Sequence, residues 1–300
     1  MTAHDDIRIG TLVHAGRHAA HYIRQVLPHG FESFQLTFWR HVGDLDLKPL
    51  ADQVRQVLAE AGAAAAISAL GIYGNPLTDE QTAHDFGLLI ESAGLFGCNL
   101  VCGFTGRIPN EPVPKSLPAF KRVFGDLAKR AEDRGVRIGL ENCDMQGTWD
   151  SGDWNIAHAP AAWEMIFAEV PSPVLGLEWE PCHQMVSLID PLPQLRQWVH
   201  KVFHLHGKDA TVLWDVIRTR GIRGGQPYVY HRTPGFGDTN WTDVISILRA
   251  GGFRGSIDIE GWHDPVYRGE LEMTGQVQAL RYLKECRGGT FVPNPEEAPP

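Results

Sequence analysis

Along most of its length the chain alternates between two textures: short apolar runs, many of them β-branched, and longer segments whose apolar residues recur every three or four positions. The short runs read as strands at Ile7–Val13, Ser33–Phe38, Ala65–Tyr73, Leu100–Phe104, Val136–Asn142, Val174–Glu180, Val202–Lys208 and Gly255–Glu260. Between them, Leu47, Leu50, Val54, Val57 and Ala61 step as one helix face does. Leu117, Phe120, Phe124, Leu127 and Ala131 do the same, and Trp241, Val244, Ile245 and Leu248 repeat it before the last strand. Thr78-x-x-Gln81 has the form of a capping box opening a further helix, and Gly135 sits where a helix C-cap is wanted. Strands alternating with helices predict a parallel sheet. Eight of them in 300 residues predict a closed (β/α)8 TIM barrel of the α/β class. An open doubly wound sheet is disfavoured, because the turn His14-Ala15-Gly16-Arg17-His18 after the first strand lacks a Gly-rich phosphate fingerprint.

Composition changes this picture in a few places. At ~150 residues per domain the length suggests two domains, but α/β barrels fill it as one, and the pattern shows no linker. Residues 1–287 therefore read as a single barrel domain, and the Pro-rich stretch 288–300 as a poorly ordered tail. The formal charge of −9 opposes binding to nucleic acid or anionic lipid. No apolar run approaches the ~20 residues that span a bilayer, and the N-terminus has no apolar signal core. Five cysteines without paired spacing do not form a disulfide framework; Cys98 and Cys102 read as small buried hydrophobes. These features describe a soluble, cytoplasmic protein.

In a barrel, function collects at the C-terminal ends of the strands. The fifth predicted strand ends in Glu141 and Asn142; the sixth offers Glu178, Glu180 and His183. The seventh offers His204, His206, Lys208 and Asp209, and the eighth Asp258, Glu260, His263 and Asp264. Acidic residues are depleted in strands, so four consecutive carboxylate or imidazole ends point to a shared site. Side chains at i and i+2 share a face. If Glu180, His206 and Glu260 point inward, then Glu178, His204 and Asp258 lie one layer deeper. Buried carboxylates need partners, and a metal in the upper layer with the deeper groups orienting its ligands supplies them. Three carboxylates and one imidazole suit Mn²⁺ best, with Mg²⁺, Co²⁺ or Zn²⁺ as alternatives.

At these residues the sequence resembles the xylose isomerase-like TIM-barrel superfamily, in particular its sugar phosphate isomerase/epimerase branch. Glu180-Pro181-Cys182-His183 is similar to the family's Asp-Pro-x-His, with Glu in place of the usual Asp. His206-Gly207-Lys208-Asp209, Arg232-Thr233-Pro234-Gly235-Phe236-Gly237-Asp238, Trp154-Asn155-Ile156-Ala157-His158-Ala159-Pro160 and Tyr73-Gly74-Asn75-Pro76-Leu77 match further segments in order. The resemblance implies one divalent metal held by Glu141, Glu180, His206 and Glu260, with Glu141 and Glu260 also catalytic. Glu141 and Glu260, on non-adjacent strands, approach a substrate from two sides, one removing a proton next to a carbonyl and the other returning it. His183 and Arg232 are then candidates for binding a substrate hydroxyl, carbonyl, carboxylate or phosphate. The implied activity is a sugar isomerase or epimerase on a ketose. A lyase or dehydratase acting on a keto-sugar, inosose or 3-keto-glycoside is the alternative. The family also implies a homodimer or homotetramer. Trp149, Trp154, Trp179, Trp214 and Trp262 fall near the top face, where indole rings stack on sugars. His14, His18 and His21 read as a solvated helical stripe. The segment from Ala210 to His231, with Arg218, Arg220 and Arg223, is long and sits where specificity would be set.

Overall fold

The predicted strands are apolar on both faces, which suits a parallel sheet covered inside and out. The computed structural model, which describes residues 4–62 and 65–295, closes them into one (β/α)8 TIM barrel. The strands are β1 (Ile7–His14), β2 (Ser33–Thr37), β3 (Ala66–Ile72), β4 (Leu100–Gly103), β5 (Arg137–Glu141), β6 (Leu175–Trp179) and β7 (Val202–Gly207). A hairpin, β8 (Asp209–Val212) and β9 (Val229–Arg232), interrupts the alternation before the last barrel strand, β10 (Gly255–Ile259). The barrel order is β1-β10-β7-β6-β5-β4-β3-β2, with every pairing parallel.

Around it run α1 (Ala19–Val26), α2 (Leu47–Glu60), α3 (Glu80–Ser92), α4 (Val113–Arg134) and α5 (Pro160–Glu169). They are followed by α6 (Pro181–Val186), α7 (Pro191–Trp198), α8 (Trp214–Arg220), α9 (Trp241–Ala250) and α10 (Glu272–Cys286). The apolar stripes read from the sequence face the barrel: Leu47, Leu50, Val54 and Val57 of α2 and Phe120, Phe124, Leu127 and Ala131 of α4 are buried. Gly135 ends α4 in the left-handed conformation, with φ of 64°, as its place after the stripe requires. The expected capping box does not form: Gln81 Nε2 donates to Asp85 at 2.8 Å. Thr78 lies in a turn whose amide is bonded to the Asn75 carbonyl. Asp79 is the N-cap instead, its carboxylate accepting from Gln81 N at 3.1 Å. Among the described residues no helix is long and apolar enough to cross a membrane. Of the stretch expected to be a loose tail, Gly289 accepts a hydrogen bond from His4 at 3.0 Å and Phe291 packs edge-on against the same ring; residues 296–300 lie outside the described residues.

The end of the barrel away from the strand C-termini is closed by α10. Arg287 donates to the Ile7 carbonyl at 2.6 Å and holds Glu32 through two bonds of 2.6 and 3.0 Å, while Lys284 reaches Glu32 at 3.1 Å. Burial pushes the Glu32 carboxyl up, but Arg287, the Ile9 amide and Lys284 outweigh it and hold the group below 4.5. A carboxylate depressed on folding stabilises the fold above its unfolded value, and that contribution is lost as pH falls through the folded one. Glu32→Gln is therefore expected to lose about 1.5–3 kcal/mol at neutral pH. The gap between variant and wild type in urea unfolding should shrink as pH is lowered from neutral through the carboxylate range, whereas a gap that does not change with pH contradicts the assignment.

Candidate active site and metal centre

The chemistry-bearing residues sit where β5, β6, β7 and β10 end. Register places Glu141 beside Glu178, Glu178 beside His204, and His206 beside Asp258. Adjacent strands thereby stack their polar positions in two layers. In the deeper one, Asp258 accepts from Ser33 at 2.5 Å and from the Ser68 hydroxyl, and lies 3.2 Å from His204 Nε2. Gly10 of β1 makes room for this cluster, since a Cβ there would run into Ser33 and Asp258. Glu178 accepts from Gln35 Nε2 at 2.7 Å and from the Tyr73 hydroxyl at 3.1 Å.

The deeper layer also fixes the ring of His206. Its Nε2 lies 2.8 Å from Gln35 Oε1 and 3.1 Å from Glu178. Both are acceptors, so the proton stays on Nε2 and the Nδ1 lone pair faces the upper layer. There Nδ1 lies 3.2 Å from Glu260 and 3.7 Å from Glu141. Glu141, Glu180, His206 and Glu260 each offer one atom within 4.8 Å of all the others, and all four residues are buried. His206 Nδ1, Glu180 Oε1 and Glu260 Oε2 are buried without a well-aligned hydrogen bond, although Glu260 Oε2 lies 3.2 Å from His206 Nδ1 and Glu180 Oε1 lies 3.0 Å from His183 Nε2. Buried acceptors without such bonds are costly, and three of them converging on one point form a donor set that fits a divalent cation.

Backbone staples hold these groups in place. Asn142 and Glu180 exchange bonds across the β5 and β6 ends, side-chain N to carbonyl at 2.9 Å and amide to side-chain O at 2.8 Å. Asn155 donates to the carbonyls of Glu141 at 2.8 Å and Cys143 at 2.7 Å while accepting from Thr105. The Trp154–Pro160 segment thus sets the backbone that carries Glu141. Asp209 accepts from Ala210 N, Thr239 N and Trp241 Nε1, at 2.7, 3.1 and 3.0 Å, and so anchors the loop through Gly237.

Lys208 is the one ammonium in this layer. It is 3% exposed, with Nζ 2.9 Å from Glu260, 3.3 Å from His183 Nε2 and 3.9 Å from Glu180. Burial raises a carboxyl, yet the Lys208 charge wins at Glu180 and Glu260 and holds both below the usual range. At Glu141 burial, helped by the Glu180 and Glu178 carboxylates, outweighs the His206 ring and pushes the group up to about 8. His183 also contacts Glu180 at 3.0 Å and Asp144 at 3.3 Å.

Above the centre opens a cavity of about 1230 Å³, lined by Glu141, His183, His206, Lys208 and Glu260 at its floor. Arg232 does not line it. Alternation along β9 turns Val229 and His231 inward, and the Arg232 guanidinium pairs with Asp264 at 3.1 Å. Asp264 also accepts from Thr233, Val266 and Tyr267, so Arg232 ties β9 to the loop after β10. The segment from Ala210 to His231 is the hairpin plus α8. Its loop brings Ile222, Gln226, Pro227 and Tyr228 onto the cavity wall, while Arg218, Arg220 and Arg223 are exposed.

Of the tryptophans expected at the top face, Trp262 lines the cavity, Trp179 is buried with its indole bonded to Gln194, and Trp154 packs beside Trp39. His14 ends β1 and lines the cavity, so it does not belong to a helical stripe. Gln35, Trp39, Tyr73 and His231 join the site without being marked by the strand-end pattern, and Lys208 is marked by it without a role. Gln35 and Lys208 carry a readable signal: one is a polar residue within an apolar strand, and the other stands two positions from His206 on the same face.

A family model described as xylose isomerase-like TIM barrel matches residues 23–286. Compared with curated proteins, the sequence finds no match. Among solved structures, the 3-keto-D-glucoside 4-epimerase of E. coli is similar over 93% of this chain and 100% of its own, with TM-score 0.69 and 16% identity. D-psicose 3-epimerase, solved in the presence of D-fructose, covers 94% of this chain and 100% of its own at TM-score 0.68 and 14% identity. The probable 3-DHS dehydratase of Bacillus anthracis covers 90% and 98% at TM-score 0.61 and 14% identity. At such identities the likeness is one of fold.

Proposed function

The chain belongs to the xylose isomerase-like TIM-barrel family, and on that premise we propose that it is a divalent-metal-dependent sugar isomerase or epimerase. Its substrate in this reading is a ketose or related keto-sugar, which it deprotonates next to the carbonyl. The observation that carries the reading is the convergence of Glu141, Glu180, His206 and Glu260 with three buried acceptors that lack well-aligned hydrogen bonds. These four are the proposed metal ligands, and three carboxylates with one imidazole suit a hard or borderline ion, with Mn²⁺ put first in this reading and Mg²⁺, Co²⁺ or Zn²⁺ as alternatives. Residues 1–287 act as one unit in this account.

A bound divalent cation supplies charge stabilisation to the substrate oxygens as the proton leaves. The proton itself is handled by side chains. Glu141 on β5 and Glu260 beyond β10 are separated in barrel order by β6 and β7, so a sugar between them meets a carboxylate on each face. One removes the proton and the other returns it from the opposite side, which inverts the carbon. His183 Nε2 and Lys208 Nζ, 3.3 Å apart, orient a hydroxyl or the carbonyl.

The alternative, elimination from the same deprotonated keto-sugar, is favoured by one feature: the hairpin adds His231 to the row His183–His231–His263, with ring centroids 4.9 and 6.0 Å apart above Glu260. Such a row suits relay of a proton to a departing oxygen. The deciding experiment incubates chelator-stripped and Mn²⁺-reloaded protein in D₂O with D-fructose, D-psicose, an inosose and 3-keto-glucosides. Metal-dependent deuterium entry next to the carbonyl supports the reading, and loss of water or aglycone selects elimination. No exchange with any of these substrates contradicts both.

A further inference from the structure

The metal centre occupies the β5–β6–β7–β10 side of the mouth, yet the cavity extends well past it. Its volume of about 1230 Å³ exceeds the ~300–1,000 Å³ of pockets that hold drug-sized ligands. Part of its wall beyond the centre is the sector at the ends of β10, β1 and β2, which contributes Trp262, Leu12, His14 and Trp39. None of these belongs to the proposed ligand set. A second cavity of about 570 Å³ shares Leu12, His14 and Trp262 as its wall and runs on toward Tyr22.

Two tryptophans flank this sector and both are unusually placed. Trp39 is 48% exposed and Trp262 44%, although large apolar side chains are normally covered. Trp39 also has φ of 50°, a left-handed conformation that strains a residue with a bulky side chain. The strain is stapled by the bond from Tyr73 N to the Trp39 carbonyl at 2.5 Å. Strain held at a half-exposed indole on a cavity wall points to a ligand that stacks there.

Resting on the reading of the metal centre above, we propose that Leu12, His14, Trp39 and Trp262 form a subsite for an aromatic group joined to the sugar. The substrate is then an aryl glycoside of a keto-sugar and not a free monosaccharide. A second sugar fits less well. Its hydroxyls require several fixed partners, and among Leu12, His14, Trp39 and Trp262 only His14 offers both a donor and an acceptor, while the nearby Thr37 hydroxyl spends its donor on the Val13 carbonyl at 3.3 Å. Indole faces and the Leu12 side chain suit a planar apolar ring.

The test uses the metal-loaded full-length protein with three 3-keto-glucosides, carrying a methyl, a 4-nitrophenyl and a glucosyl group. The unoxidised 4-nitrophenyl glucoside serves as an unreactive probe of binding by tryptophan quenching. The aryl compound should show kcat/KM about tenfold or more above the other two. Trp39→Ala and Trp262→Ala should each reduce that preference severalfold and weaken quenching, with circular dichroism unchanged. Equal kcat/KM for methyl and aryl compounds, a preference for the disaccharide, or a preference surviving the double substitution overturns the proposal. If no keto-sugar is turned over, the reading of the metal centre fails, while quenching by the unreactive glucoside still decides the subsite.

Discussion

Glu260→Gln is expected to lower turnover by about 10²–10⁴-fold, the range spanned by loss of a positioned acid or base. The substitution keeps the shape but reverses the hydrogen-bonding sense of one atom. Glu260 Oε1 now lies 2.9 Å from Lys208 Nζ and 2.9 Å from His263 Nε2, and a carboxamide NH₂ in that place would face an ammonium donor. If the carboxamide turns its oxygen there instead, the NH₂ faces His206, 3.2 Å from Oε2, and has no lone pair to offer a metal. Either way the site loses a charge that Lys208 stabilises. The measurement is deuterium exchange at saturating substrate and metal, which separates lost proton transfer from weakened metal binding. A variant retaining a tenth or more of wild-type turnover contradicts the role given to Glu260.

Glu178→Gln is the second large expectation, and it acts at a distance. Glu178 is not in the proposed ligand set; it holds His206 Nε2 at 3.1 Å and is itself held by Gln35 and Tyr73. Replacing the carboxylate removes a buried charge that orients the ring and makes its other nitrogen a better donor. Metal affinity should fall by about 10–100-fold, read by titrating Mn²⁺ with electron paramagnetic resonance. Turnover should return as Mn²⁺ is raised, because the proposed proton-transfer carboxylates, Glu141 and Glu260, are untouched. A purely structural role would instead lower thermal stability and leave the Mn²⁺ dissociation constant where it was.

The strand ends were legible because a barrel forces alternate residues inward and its function to one end. Strand-end patterning therefore brought out Glu141, Glu180, His206 and Glu260 among about a dozen polar groups, the family resemblance narrowed them to these four, and the structure brings the four together. Glu178, His204 and Asp258 followed from the same alternation and are buried beneath. The pairing of Arg232 with Asp264 was not legible, because the sequence gives no sign that Val229–Arg232 forms a hairpin strand. Without that register, nothing says that His231 faces the cavity and Arg232 faces Asp264. Trp39 escaped for another reason: its position depends on a left-handed residue one step past Phe38, and no local motif announces that. Lys208 was visible but ambiguous, since a lysine at a strand end is as often solvated as buried. Its role emerges only once Glu180, Glu260 and His183 are seen around it.

The central claim is that these four strand-end residues hold a divalent metal. Its most direct test is mass-spectrometric metal content of the protein purified without added metal, beside Glu180→Gln and His206→Ala prepared identically. The account predicts a near-stoichiometric divalent ion, Mn²⁺ foremost, in the wild type and a large loss in both variants. A wild-type protein free of divalent metal, and unable to take up Mn²⁺ when titrated, would contradict it.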